Sequence, residues 1–237
     1  DNMLLQLAAL DFSVRDIRIL LELKLRQLEE RIRNARVAIV GESPEARSVI
    51  LNSLTTIPNV DYVWFLLSNL REQPQRLEAD FDFVVCEEKH IDELKQIVRG
   101  EMPVMQLALT LTADTIAEIG RIPSQARAGV VSLSHTFLSV MKEDFSRYVS
   151  SDIETEYFMF GESAGFSEFL LSKDVVLVPP HCTGFISREK EQMLKDARQN
   201  GVQILRYDLR VDRGSWLYIA DAAEKAYKKA KQRLNRR

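Results

Sequence analysis

The sequence Phe83-Val84-Val85-Cys86-Glu87-Glu88-Lys89-His90-Ile91 has a counterpart later in the chain, Val175-Val176-Leu177-Val178-Pro179-Pro180-His181-Cys182-Thr183. Each begins with a short apolar run rich in valine. Polar and turn-forming residues that include a Cys and a His follow, and helical periodicity comes next. This pattern predicts a buried strand leading to a helix in each half of the chain. We therefore expect two α/β halves that face each other, with a cleft where the strand ends meet.

Strands and helices alternate on both sides of this pair, which is typical of parallel βαβ units. The first series has predicted strands at 36–40, 62–67, 83–86 and 104–109 and helices at 44–54, 91–99 and 113–120. After turn-forming residues at 121–125, the second series has strands at 128–133, 154–160, 175–178 and 202–207 and helices at 136–148, 167–171, 188–199 and 215–234.

The predicted fold class is α/β, with two lobes built on mainly parallel sheets. Each lobe would be like half of a periplasmic binding protein or like a flavodoxin. The predicted domains are a helical connector at 1–34, a first lobe at 35–122, and a second lobe at 123–237 that includes the last helix.

The connector is predicted to contain a helix over 14–33. Ser13 and Asp16 have the spacing of a capping box at its start. One stripe of this helix is apolar and is formed by Ile17, Leu21, Leu25 and Leu28. This stripe fits either a helix docked on its own domain or a dimerisation helix, and we take it as the predicted contact of a homodimer.

Composition excludes several classes of protein. The 237 residues are 46% hydrophobic and 28% charged, as is usual for globular proteins. No apolar run approaches the roughly 20 residues that span a bilayer, so no membrane contact is expected. Asp1-Asn2-Met3 lacks the features of a secretory signal, and two cysteines in separate halves fit a reducing cytoplasm. A net charge of -3 gives no reason to expect DNA contact by this chain itself.

Ligands of open α/β sheets bind beyond the carboxyl ends of the strands. Polar residues cluster at those ends in this sequence, and we expect them to line the cleft. They are Glu42, Ser43, Cys86, Glu87, Ser132, Ser134, His135, Thr136, Glu162, Ser163, His181, Cys182 and Thr183. Their spacing matches no paired zinc motif, and no dinucleotide or Walker loop occurs. We therefore expect neither a metal nor a cofactor.

An enzyme is the alternative interpretation. The segment Pro180-His181-Cys182-Thr183-Gly184 is similar to the second-lobe cysteine motif of cofactor-independent aspartate/glutamate racemases. That resemblance implies a pair of catalytic thiols, Cys86 and Cys182, on opposite faces of one α-carbon. However, Cys86 is followed by Glu87 and Glu88, where the family has Asn-Thr, and nearby carboxylates disfavour a thiolate.

A different resemblance extends over most of the chain. The Ser-capped helix at 12–17, the basic exit Arg31-Ile32-Arg33, the strand Ala35-Arg36-Val37-Ala38-Ile39-Val40 and the segment 128–134 resemble the C-terminal effector region of GntR-type transcription regulators, notably the PlmA-like branch. The resemblance implies a non-catalytic module that dimerises and senses a small molecule or a regulatory protein. DNA would be bound only by a winged helix-turn-helix domain that this chain lacks.

Overall fold

A computed structural model describes residues 13–31, 34–72, 75–98, 102–149, 153–162 and 164–235. The first helix, α1, spans Val14–Arg31. Its capping box forms as the sequence predicts, because the Asp16 amide donates to Ser13 Oγ at 3.2 Å and the Ser13 amide donates to Asp16 Oδ2 at 3.2 Å. The remaining elements form two α/β lobes.

The first lobe is built on a parallel sheet with the strand order β2-β1-β3-β4. This order is the beginning of the flavodoxin-like order 2-1-3-4-5. A 3-10 turn at Glu88–His90 follows β3. The first half of the sequence supplies β1 (Ala35–Gly41), α2 (Pro44–Leu54), β2 (Val60–Leu66), α3 (Leu67–Glu72), α4 (Gln75–Asp80), β3 (Phe83–Glu87), α5 (Ile91–Ile97), β4 (Val104–Leu107), β5 (Leu109–Leu111) and α6 (Ala113–Gly120).

The second lobe repeats this plan with the strand order β7-β6-β8-β9, again parallel throughout. A 3-10 turn at Cys182–Gly184 follows β8, in the place that Glu88–His90 takes after β3. The second half supplies β6 (Ala128–Ser132), α7 (His135–Tyr148), β7 (Thr155–Met159), α8 (Phe166–Leu171), β8 (Val175–Val178), α9 (Arg188–Gln199), β9 (Gln203–Arg206), β10 (Leu209–Val211) and α10 (Arg213–Asn235).

The two lobes exchange their last helices. The short strands β5 and β10 pair antiparallel, with Leu109 opposite Val211, and carry the chain across between the lobes. As a result α6 packs against α7 and β9 of the second lobe, whereas α10 packs against β1 and β4 of the first. The predicted boundary between the lobes, at residues 122 and 123, therefore lies after α6, a helix that packs on the second lobe.

A single apolar cluster extends through both lobes. It contains Val37 and Ile39 of β1, Phe137 and Met141 of α7, and Ile219 of α10. A smaller apolar cluster packs on the opposite face of each parallel sheet. None of the helices in the described part of the chain has both the length and the apolar composition needed to cross a membrane.

The structure confirms the predicted α/β fold with two mainly parallel sheets. The main difference between the predicted and observed elements lies around β5 and β10, the strands that cross between the lobes. Continuous strands were predicted over 104–109 and 202–207. The first is interrupted at Ala108, whereas the second spans only Gln203–Arg206 and is followed by the unpredicted β10. The interruption lets the Asp212 amide donate to the Ala108 carbonyl at 2.9 Å and the Thr112 amide donate to the Asp208 carbonyl at 3.0 Å.

Candidate functional site between the lobes

The carboxylate of Glu45 joins the two lobes. Glu45 is the second residue of α2 in the first lobe, and its side chain is completely buried against the second lobe. Its Oε1 accepts hydrogen bonds from the amides of Leu133 (2.8 Å) and Ser134 (3.0 Å) and from Ser132 Oγ (2.8 Å). Its Oε2 accepts from Ser134 Oγ at 2.8 Å. Four donors of one lobe therefore surround a carboxylate of the other.

These donors lie where β6 ends and α7 begins. Ser132 is the last residue of β6, and Ser134 is the N-cap of α7, where its Oγ accepts from the Phe137 amide at 3.3 Å. Amides at a helix N-terminus carry partial positive charge and favour an anion. Among the described residues, these donors rather than an ion pair balance the charge of Glu45.

A second polar contact between the lobes lies farther along α2. Asn52 Nδ2 is 3.2 Å from His181 Nε2, which belongs to the turn after β8. His181 has a left-handed backbone conformation, with φ of 52°, and its side chain is exposed. Helix α2 thus contacts the second lobe through residues near both of its ends.

A cavity of about 510 Å³ opens between the lobes. The first lobe contributes the end of β3 and the turn after it, and the second lobe contributes one side of α7; the crossing strands form the floor. The lining residues are Glu87, Glu88, Lys89, Leu107, Ala108, Leu109, Phe137, Val140, Glu143, Asp144, Arg147 and Leu209. Its size is suited to a metabolite-sized ligand.

The polar groups of this cavity are partly paired with each other. Arg147 lies 2.9 Å from Glu143 Oε1 and 3.6 Å from Asp144 Oδ1, and Asp144 also accepts a hydrogen bond from the Tyr207 hydroxyl. Lys89 Nζ is 3.3 Å from Glu87 Oε2. Four carboxylates against two cations leave an excess of negative charge in the lining.

Behind the cavity, a buried histidine lies between two carboxylates. His90 Nε2 is 3.8 Å from Glu87 Oε2 and 3.8 Å from Glu42 Oε2. Both His90 Nε2 and Glu87 Oε2 are buried and make no hydrogen bond to the part of the chain that the structure describes. His90 belongs to the first strand-to-helix segment but is not among the predicted site residues.

A larger cavity of about 850 Å³ lies within the second lobe, between α6 and α9. Cys182 and Thr183 line it, together with β9 and the ends of the crossing strands. Since the elements around it all pack on the second lobe, a ligand bound there would not contact both lobes. It is therefore a poorer candidate for sensing lobe movement than the cavity beside Glu87.

The structure brings several predicted residues to the boundary between the lobes. Glu87 lines the smaller cavity, Ser132 and Ser134 bind Glu45, and His181 contacts Asn52. Glu42 is exposed beside His90, and Ser43 caps α2 by accepting from the Ala46 amide at 3.1 Å.

Other predicted residues lie elsewhere. Glu162 is exposed, and its carbonyl accepts a hydrogen bond from Lys190 at 2.7 Å. Within the described part of the chain, the exposed His135 and the half-buried Thr136 of α7 make no polar contact with the other lobe. Ser163 lies outside the described residues.

The two cysteines lie in separate hydrophobic clusters. Cys86 is completely buried in the first lobe, where burial and the neighbouring Glu87 raise the pKa of its thiol to about 12. Cys182 is buried in the second lobe, where burial again raises the pKa of the thiol. A two-thiol racemase needs both groups ionisable and facing one carbon atom, and this arrangement does not favour that chemistry. Within the described residues, no group of three or more His, Cys, Asp or Glu side chains could hold a metal ion.

Glu45, which accepts four hydrogen bonds from the other lobe, is absent from the predicted site residues. Its only local signal is an acidic side chain in the first turn of a Ser-capped helix, which is a common stabilising feature of isolated helices. Its partners lie 87 to 89 positions away in sequence. Only the packing of the two lobes reveals its role.

Comparison with known proteins adds information on the second half of the chain. No curated protein matches the sequence. Among solved structures, an NtrC family transcriptional regulator from Clostridium acetobutylicum aligns over 84% of this chain and 98% of its own, with 13% sequence identity and a TM-score of 0.32. Residues 129–230, which run from β6 into α10, match the YmtS Rossmann-like domain. The second lobe is thus similar to a YmtS Rossmann-like domain.

Proposed function

We propose that this chain is the signal-sensing and dimerisation region of a transcription regulator, with the cavity beside Glu87 as its effector site. The observation that carries the proposal is the origin of the cavity lining, which comes from both lobes and from the crossing strands between them. A molecule bound there contacts both lobes at once. Its binding free energy therefore depends on how the lobes are arranged, which is the requirement for a switch.

The charge of the cavity favours an effector that carries a protonated amine. Carboxylates outnumber cations in the lining. The buried Glu87 Oε2 is in an ion pair with Lys89 Nζ at 3.3 Å but accepts no hydrogen bond from the described residues. A buried carboxylate gains most from a charged donor. An ammonium group placed beside Glu87 would add a charged hydrogen-bond donor to the one cation, Lys89, that already lies near this carboxylate.

Calorimetric titration with putrescine and spermidine tests the proposed effector class, with citrate as the anionic comparison. We expect an amine to bind and citrate not to bind. Glu87→Gln should weaken amine binding at least tenfold, because a neutral amide replaces the carboxylate. Glu168→Gln, at an exposed position outside this cavity, is the matched control. Binding of citrate alone, or equal amine binding by Glu87→Gln, would contradict the proposal.

The finer assignment to GntR-type regulators of the PlmA-like branch is also part of the proposal. It is supported by the Ser-capped helix α1 before β1 and by the two α/β lobes that follow. In this arrangement α1 would connect the lobes to a winged helix-turn-helix domain in the cytoplasm. The gene sequence upstream of Asp1 tests it directly. A winged helix-turn-helix encoded there supports the assignment, and a catalytic domain in its place would overturn it.

Helix α1 is the proposed contact between two copies of the chain. Its described side chains are all exposed or half-buried, and Ile19, Leu23 and Leu25 are each about half exposed. The predicted stripe is only partly outward-facing, since Ile17 and Leu21 are half-buried; the side chain of Leu28 lies outside the described part of the chain. Pairing α1 with a second copy would cover the apolar residues that this chain leaves in water.

A further inference from the structure

The contact between Glu45 and the start of α7 is of a kind that can form and break as the two lobes approach and separate. It joins the lobes through charged hydrogen bonds, next to the apolar cluster that both lobes share. Burial of a carboxylate is costly unless donors replace its water, and here four donors do so. When the lobes separate, water can hydrate Glu45 and the freed amides again. Both arrangements therefore satisfy the charge, so the net free energy that this contact adds to the closed state is smaller than the sum of its hydrogen bonds.

We infer that Glu45 is a built-in latch, which holds the two lobes closed in the absence of a signal and whose release lets them open about the β5–β10 crossing. The crossing and the exchanged helices remain as a permanent connection between the lobes. The Glu45 contact and the contact between Asn52 and His181 lie outside it. The inference concerns the unliganded state and is independent of the effector class proposed for the cavity.

Removal of the carboxylate should shift the lobes toward the open arrangement. In Glu45→Ala, the amides of Leu133 and Ser134 would be buried without an acceptor if the lobes stayed closed. Opening lets water reach these amides, so the open state gains relative to the closed state. A loss equivalent to one or two charged hydrogen bonds changes the ratio of the two states by about tenfold or more.

The distance between the lobes can be measured with spin labels. Gln96→Cys on α5 and Gln199→Cys on α9 place labels at exposed positions of different lobes. The native cysteines are buried and have raised thiol pKa values, so they should remain unlabelled. Pulsed dipolar spectroscopy should give one short distance in the parent and a longer, broader distribution in Glu45→Ala.

Glu189→Ala is the matched control, because Glu189 occupies the same position after the N-cap of a Ser-capped helix but is exposed within one lobe. Ser132→Ala is a milder variant that removes one donor and leaves both helix caps in place; it should show a smaller shift. Far-UV circular dichroism establishes that each variant is folded. Unchanged distances in both Glu45→Ala and Ser132→Ala, or an equal shift in Glu189→Ala, would overturn the inference.

Discussion

Two tyrosines, Tyr207 and Tyr62, illustrate how a single hydroxyl group can stabilise or destabilise this protein. The Tyr207 hydroxyl donates to Asp144, and burial together with this neighbouring carboxylate raises the pKa of Tyr207. The Tyr62 hydroxyl is also buried, but it has no hydrogen-bond partner among the residues that the structure describes. Burial of a hydroxyl without a partner costs free energy, whereas a satisfied one stabilises the fold.

We therefore expect opposite results from the same substitution at these two positions. Tyr207→Phe should lower the free energy of unfolding by about 1–3 kcal/mol, because Asp144 loses a donor. Tyr62→Phe should leave it unchanged or raise it slightly. Urea denaturation monitored by circular dichroism measures both, and each variant is the control for the other. Equal losses would contradict this explanation.

Cys86 should make the stability of the protein depend on alkaline pH. Its thiol pKa is raised from 9.0 to about 12 in the folded state. Between these values the unfolded chain loses the proton while the folded chain keeps it, so the free energy of unfolding falls as pH rises. The decline should amount to at most about 1.4 kcal/mol per pH unit from this thiol.

Urea denaturation at several pH values from 8 to 11 tests this effect. Because tyrosines and lysines titrate in the same range, the relevant quantity is the difference between the parent protein and Cys86→Ala. The parent should lose stability more steeply than the variant above pH 9. Identical slopes would show that the thiol is not protected in the folded state.

At the scale of secondary structure, helix α1 exposes several large apolar side chains to solvent. If two copies pair through it, a charge at its exposed apolar positions should separate them, since a buried unpaired carboxylate is costly. We expect the parent to be a dimer by light scattering, and Leu23→Glu and Leu25→Glu to shift it toward monomer. Arg18→Glu adds the same side chain at an exposed polar position of α1 and should have little effect.

Either of two results would contradict a role for α1 in dimerisation. One is a monomeric parent protein. The other is a dimer that survives both leucine substitutions together. A dimer lost equally in Arg18→Glu would point instead to a general effect of negative charge on the helix.

Secondary-structure elements could be predicted from the sequence where neighbouring residues mark their start or end. Ser13 caps α1 as predicted, and Gly201 adopts a φ of 93° after α9, as expected from the sequence Asn200-Gly201. The strands β5 and β10 were not predicted as separate elements, because three residues are too few to show an alternating pattern. They are defined by their mutual pairing, which joins residues about 100 positions apart.

The candidate site was predictable only in part, for the same reason. The pattern of polar residues at strand ends included Glu87, Ser132 and Ser134, which lie at the boundary between the lobes because the carboxyl ends of parallel strands meet at one edge. Cys86 was included because the predicted strand ended there, but β3 continues to Glu87 and Cys86 packs in the core of the lobe. Glu45 could not be recognised, because its partners belong to the other lobe.

At the scale of the whole molecule, the exchange of α6 and α10 should make the two lobes unfold together. Each lobe contains a helix from the opposite half of the sequence, and one apolar cluster spans both lobes. Unfolding of either lobe alone would expose part of that cluster. We expect a single transition in scanning calorimetry, with equal calorimetric and van't Hoff enthalpies.

Two resolved transitions would show that the lobes are energetically independent despite the exchange. Ile219→Ala on α10 offers a sharper test, because its completely buried side chain belongs to the first lobe in space and the second half in sequence. This substitution should lower the temperature of the whole transition and reduce the free energy of unfolding by about 2–5 kcal/mol. A shift confined to part of the transition would contradict cooperative unfolding.

The exchange of helices also has a consequence for synthesis of the chain on the ribosome. The sheet of the first lobe is complete once β4 has emerged, but the helix that covers one of its faces, α10, is made roughly 100 residues later. At typical elongation rates this interval lasts about 5–20 s. During that time Val37 and Ile39 lack their final cover. The nascent first lobe therefore leaves part of its apolar face uncovered until the last helix has been made.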